Sequence, residues 1–140
     1  MSVRTAAETE AGDVFGPVTV PVGRDTLVAY AHASGDGNPI HQDEEFAKSV
    51  GLPDVIAHGM WTLGAAGSVV SAWAGGAGRV AEFGSRFIKP VVVPAAGAEV
   101  LIDGTVKAVD PDTRRATLDV TVTSGGAKVL GRCTAVVQLD

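Results

Sequence analysis

The sequence holds a single cysteine, Cys133, so no internal disulfide can form. No Cys/His spacing resembles a zinc site, and no metal is expected. Basic charge is also short: eleven Lys and Arg stand against sixteen Asp and Glu, a net charge of −5. That balance excludes sequence-independent nucleic-acid binding, which needs a basic face, and argues equally against docking on anionic lipid. Residues 1–12 are polar and acidic, lack the apolar core of a signal peptide, and read as a flexible lead-in to a cytoplasmic protein. No internal repeat or low-complexity tract is present.

One run lacks charge altogether. Gly59 to Gly78 carries no ionisable side chain over twenty residues, about the length of a bilayer span. Its composition is wrong for lipid, because six of the twenty are Gly and five are Ala. A buried central helix from about His58 to Trp73 is the better reading. At roughly 1.5 Å per residue it would be about 25 Å long. Being apolar on nearly all sides, it should be surrounded by protein.

What is present is the make-up of one globular domain of 140 residues, 46% hydrophobic and 19% charged. Arg24 to Ala33 has helical spacing, with apolar residues at 27, 30 and 31 and Asp25 in the first turn. Ser34-Gly35-Asp36-Gly37-Asn38-Pro39 cannot continue that helix. Asp43 to Ser49 reads as a second, short helix. The remainder alternates with a period of two: Ala81, Phe83, Ser85 and Phe87; Val100, Ile102, Val106 and Ala108; Ala116, Leu118, Val120 and Val122; Val129, Cys133, Ala135 and Val137. Asp110-Pro111-Asp112 and Ser124-Gly125-Gly126 supply hairpin turns. An antiparallel sheet with one apolar side and a long apolar helix cover each other best if the sheet wraps the helix. This is the α+β hot-dog architecture.

The stretch from Tyr30 to His41 carries the chemistry. Asp36 and His41 are five residues apart across a turn that Gly37, Asn38 and Pro39 force to fold back. A carboxylate and an imidazole facing one gap suit a reaction in which one proton leaves carbon and another reaches a departing hydroxyl. Each residue also has a plain reading: Asp before Gly is common in turns, and a lone His is more often a structural hydrogen-bonder.

Tyr30, Ser34-Gly35-Asp36, Asn38-Pro39-Ile40-His41 and Ala47 resemble the hydratase signature of the MaoC-like hot-dog family, the (R)-specific enoyl hydratases. The similarity continues through Ala57-His58-Gly59-Met60 and Phe87-Ile88-Lys89-Pro90-Val91, and so covers about Val20 to Leu139. Length and the tract into Val69-Val70-Ser71-Ala72-Trp73 are most similar to HadB-type subunits of (3R)-hydroxyacyl-carrier-protein dehydratases. The resemblance implies that Asp36 and His41 are the acid/base pair holding the water that is added or expelled. It implies that Asn38 supports the loop and, with His58 and Gly59, belongs to the substrate site. The Gly59 N–H would bond the thioester carbonyl, as the free N–H groups and dipole of a helix N-terminus allow.

Two departures stand out. Val93-Pro94-Ala95-Ala96-Gly97-Ala98 lacks the Asp that many relatives carry there. Some relatives place a serine inside the central helix near the catalytic Asp, and the nearest positions here are Gly67 and Ser68. Small residues at Gly64, Ala65, Ala66 and Gly67 suit either an acyl chain or tight packing of helix on sheet. Arg79, Arg86 and Lys89 suit either the phosphates of a thiol carrier or solvated surface. Cys133 reads as a buried small hydrophobe.

The expected function is (R)-specific hydration of trans-2-enoyl thioesters or dehydration of 3-hydroxyacyl thioesters. The competing readings are a hot-dog thioesterase and a non-catalytic subunit. A thioesterase usually places a carboxylate on the central helix, and this one has none; a dead subunit would have lost Asp36 or His41. No cofactor is expected beyond the acyl-CoA or acyl-carrier-protein thioester that is the substrate. A homodimer, or a heterodimer with another hot-dog chain, is the expected working unit, because a lone sheet leaves unpaired edges.

Overall fold

Residues 116–122 alternate most cleanly in the sequence, and they occupy the middle of the sheet. The computed structural model describes residues 2–140. In chain order it holds strand β1 (Val14–Val22), helices α1 (Arg24–Ser34), α2 (Glu44–Ser49) and α3 (Gly59–Ala74), then strands β2 (Val80–Phe87), β3 (Ala98–Asp110), β4 (Arg115–Ser124), β5 (Ala127–Lys128) and β6 (Leu130–Gln138). The antiparallel strands run β1-β3-β4-β6-β2, with β5 paired to β4. The concave face carries Ile102, Leu118, Val122 and Val137, all with no exposed surface. Each large side chain so buried stabilises by roughly 1.5–3 kcal/mol relative to exposure.

Helix α3 lies on that face through Thr62, Ala66, Val70 and Ala74, one buried position every fourth residue. Ala66 and Ala74 let the backbone approach the sheet closely. The expectation that α3 is enclosed on nearly all sides needs correction. The row Met60, Gly64, Ser68 and Ala72 is exposed in the single chain. Among the described residues no helix is long and apolar enough to cross a membrane.

The sequence reading missed β1. Pro17 and Pro21 mask its alternation, and proline is tolerated because β1 is an edge strand that pairs only with β3. Two expected strand faces are also broken. β2 shifts register between Gly84 and Arg86, and its Phe87 is 55% exposed. β3 shifts between Val106 and Ala108, which turns Ala108 outward. Each shift inserts a residue and reverses the pleat beyond it. The N-terminal segment, expected to be flexible, makes backbone hydrogen bonds with the body. Arg4 N–H donates to Ala74, Ala6 N–H to Asp140 and Gly12 N–H to Val106.

Candidate active site

The site is assembled where α1 ends and α3 begins. Gly35 terminates α1 with φ +79°, a left-handed turn that suits glycine, and its N–H donates to the Ala31 carbonyl at 2.9 Å. The chain then folds back through a series of short hydrogen bonds. Asp36 N–H donates to Ser34 Oγ (3.1 Å), Asn38 N–H to Asp36 Oδ1 (3.1 Å) and Ile40 N–H to Asn38 Oδ1 (3.2 Å). Pro39–His41 closes the loop as one turn of 3-10 helix capped by Asn38. His41 is thereby carried inward, and only 7% of it remains exposed.

His41 Nδ1–H donates to the Ile56 carbonyl at 2.6 Å. This bond fixes the tautomer of the neutral ring and leaves the lone pair on Nε2. Nε2 faces Asp36 Oδ2 at 4.0 Å, too far for a direct hydrogen bond and suited to a small molecule held between the two. The Asp36 side chain is 52% exposed. Burial holds the His41 pKa below its ordinary value; the bond to Ile56 opposes this, the nearby His58 ring adds to it, and the Asp36 charge opposes it. His41 therefore enters neutral solution as the free base.

His58 caps α3 and is almost wholly buried, 2% exposed. Its ring stacks on His41 with centroids 3.7 Å apart, and the Tyr30 ring lies tilted against it with centroids 4.7 Å apart. Nε2–H donates to the Asp36 backbone carbonyl at 3.1 Å, while Nδ1 is buried without a partner. His58 thus ties the Asp36 loop to the start of α3. The first intrahelical bonds of α3 are made by the N–H groups of Trp61 and Thr62 to the His58 carbonyl. The N–H groups of Gly59 and Met60 precede them and belong to the positive end of the helix. A Cβ at Gly59 would come within 3.0 Å of the Phe87 ring.

These groups border one cavity of about 560 Å³, lined by Asp36, His41, His58, Gly59, Thr62 and Lys89 among others. Four of the five expected site residues meet there. Asn38 does not line it: its Oδ1 accepts from the Ile40 N–H, which suits the loop-supporting place that the resemblance implies. Thr62 was missed. It is one of three hydroxyl residues on α3, with Ser68 and Ser71, and the one that lies three positions after Gly59; that spacing was the available signal. Gly67 and Ser68 do not take the serine position considered from the sequence. Gly67 backs onto Phe83, and Ser68 Oγ donates to the Gly64 carbonyl.

Arg79 pairs with Asp140 at 3.5 Å, whereas Lys89 stands at the cavity. Burial pushes the Cys133 thiol pKa up, as befits a buried, inert side chain. Ligand atoms of Asp36, His41 and His58 lie within 4.8 Å of one another, a set able to hold a metal ion. One nitrogen of each histidine is already engaged by a backbone carbonyl.

Comparison with known proteins bears on the fold and the family. The family model described as MaoC like domain matches residues 6–125. The 3-hydroxyacyl-thioester dehydratase X of Mycobacterium tuberculosis is 41% identical over 75 residues, covering 54% of this chain and 26% of that protein. The chain spans only 5% to 26% of the length of the first three curated relatives it matches. A solved MaoC-like dehydratase superposes with TM-score 0.96 at 40% identity, over 99% of this chain and 43% of the other. The (R)-hydratase from A. caviae involved in PHA biosynthesis gives TM-score 0.83 at 29% identity, over 95% and 98% of the two chains. The HadBC complex of Mycobacterium tuberculosis shares the fold at TM-score 0.70 and 20% identity, over 93% and 98%. With its hot-dog sheet, its central helix and the matching sequence, the chain belongs to the MaoC-like domain family.

Proposed function

We propose that this chain catalyses the reversible hydration of trans-2-enoyl thioesters to (3R)-hydroxyacyl thioesters. The observation that carries the reading is the orientation of His41. Its Nδ1 is held by the Ile56 carbonyl, so its Nε2 lone pair faces the Asp36 carboxylate across 4.0 Å, beside the N-terminus of α3.

In the hydration direction, the thioester carbonyl accepts from the Gly59 N–H. A water lies between Asp36 and His41. His41 Nε2 takes one water proton as the oxygen bonds to C3. The C2=C3 π pair moves onto C2 and the carbonyl oxygen, where the helix N-terminus stabilises the enolate-like charge. The imidazolium then returns its proton to C2, and water has been added across the double bond. Asp36 accepts from the other water hydrogen and stabilises the imidazolium. Dehydration reverses these steps. The 3R configuration follows from likeness to the (R)-hydratase and not from distances.

Lys89 at the cavity supplies a cation for the phosphates of a CoA or carrier-protein arm. The working unit we propose is at least a dimer, formed with a second copy or another hot-dog chain. The edge strand β2 borders the cavity at Phe87, and Phe87 and Ile88 are more than half exposed. The test is to offer crotonyl-CoA to the purified chain, follow loss of the enoyl absorbance, and resolve the product chirally. Hydration to the 3R product is expected. No hydration, or a 3S product, overturns the reading.

A further inference from the structure

Arg24 opens α1, and each nitrogen of its guanidinium donates to a different segment. Nε–H donates to the Val93 carbonyl at 3.3 Å, Nη1–H to Glu44 Oε2 at 3.2 Å and Nη2–H to Asp54 Oδ1 at 2.7 Å. Asp54 Oδ1 also accepts the Val55 N–H at 2.7 Å, so Arg24 holds a carboxylate that is itself bonded to backbone. Val55-Ile56-Ala57 runs antiparallel to Val91-Val92-Val93. The Ala57 N–H donates to the Val91 carbonyl and the Val93 N–H to the Val55 carbonyl, both at 2.9 Å, with Ile56 and Val92 bridged between them. Arg24 therefore fastens both strands of this short pair. At its middle the Ile56 carbonyl accepts from His41 Nδ1–H, and the Ile56 N–H donates to the Ile40 carbonyl at 3.1 Å.

We infer that Arg24, acting through Asp54, is a positioning residue for the reaction: it holds the Ile56 carbonyl that aims His41, and it never touches substrate. This role rests on the reading of His41 as the base. Arg24, Glu44 and Asp54 border neither the cavity at Asp36 and His41 nor the second one. The second cavity, of about 780 Å³, follows α3 along Gly64 and Ser68 and shares Tyr30 and Met60 with the first.

The pair needs such a brace. It lies outside the main sheet, and two short strands alone are marginal in water. Val55 and Val93 are buried, but apolar packing is non-directional and sets depth rather than the aim of a carbonyl. A planar guanidinium bonded at two points sets direction. The three arms are unequal. The Asp54 side chain is 15% exposed, whereas that of Glu44 is 44% exposed and also accepts from Lys48. The Asp54 arm carries the positioning, and the Glu44 arm is a solvated pair.

The test compares wild type, Arg24→Lys, Asp54→Asn and Glu44→Gln on crotonyl-CoA. Lysine keeps the charge and loses the fork. The expected result is a kcat lower by about tenfold or more in Arg24→Lys with KM unchanged, a smaller fall in Asp54→Asn, and wild-type rates in Glu44→Gln. Two further readouts separate positioning from loss of fold. Burial holds the His41 pKa low and the Ile56 bond opposes this, so loosening that bond moves the acidic limb of kcat/KM downward. The ionisable groups around His41 are Asp36 on its own loop, His58 at the start of α3 and Lys89 at the same cavity, and Arg24→Lys changes none of them. In ¹⁵N-histidine spectra, His41 should be protonated at Nδ1 in wild type and a mixture of tautomers in Arg24→Lys; the His41→Ala spectrum assigns the signal. Should Arg24→Lys fail to melt as a folded protein by circular dichroism, Asp54→Asn carries the same comparison. Wild-type kcat in the folded variants overturns the inference. So does a fall in kcat with the limb and the tautomer unmoved, or an equal fall in Glu44→Gln. A wild type that hydrates nothing overturns the reading of His41 as the base, while the tautomer still tests the brace.

Discussion

The two cavities that meet at Tyr30 and Met60 are built by different means. Around Asp36 and His41, position is fixed by hydrogen bonds to backbone: Ile56 holds His41, His58 holds the Asp36 carbonyl, and Asn38 holds the turn. Along Gly64 and Ser68, position is fixed only by the absence of side chains. Directional bonds place a lone pair to within tenths of an ångström, which proton transfer demands. An apolar trough demands only room. Substitutions in the first region should therefore alter chemistry, and those in the second should leave it intact.

The largest effect is expected at the first region's centre. Asp36→Asn and His41→Ala should each lower hydratase turnover by about 10²–10⁴ with the fold intact, since one positioned acid/base group contributes that much. Circular dichroism and initial rates on crotonyl-CoA check this. Near-normal turnover in either folded variant would break the distinction between the regions.

A smaller effect separates positioning from chemistry. His58 reaches the Asp36 carbonyl and stacks on His41, so His58→Gln should lower kcat about tenfold, which is about 1.4 kcal/mol of barrier. Its readout is the pH profile. In wild type the acidic limb of kcat/KM should lie below 6.5, because burial and His58 depress His41. Removing the His58 ring should move that limb upward, which a loss of packing alone would not do. The same depression sets a stability window. The unfolded chain takes up the His41 proton at higher pH than the native one, so this contribution is complete above about 6.5 and declines as pH falls from there towards the native pKa. A wild-type limb above 6.5 would contradict the neutral buried imidazole.

The smallest effect belongs to the loop. Asn38→Ala removes a cap from the turn before His41 and should cost ~1 kcal/mol in urea unfolding, with activity reduced far less than in His41→Ala. Loss of activity equal to His41→Ala would place Asn38 in the reaction itself.

The sequence showed the first region better than the second for a physical reason. Asp36 and His41 lie five residues apart, so a local pattern of Gly, Asn and Pro already encodes their approach. β4 was legible because Ala116, Leu118, Val120 and Val122 all face one core. The His41–His58 stack joins residues seventeen apart through a loop and a helix start, and no periodicity reports such a contact. Thr62 was hidden because it is one of three hydroxyl residues, with Ser68 and Ser71, on a helix of mostly small and apolar side chains, and composition alone does not single it out. The exposed row of α3 was hidden because glycine, serine and alanine suit close packing and an open groove equally. β1 was lost to its prolines, and the outer end of β2 to a bulge that reverses the pleat at Phe87.

The most direct test follows two signals in one reaction. Wild type and His41→Ala are mixed with crotonyl-CoA, and loss of the enoyl absorbance is recorded while free thiol is trapped with a chromogenic disulfide. The account predicts absorbance loss without thiol release in wild type, and neither signal in His41→Ala. Thiol release keeping pace with absorbance loss, or hydration that persists without His41, would contradict it.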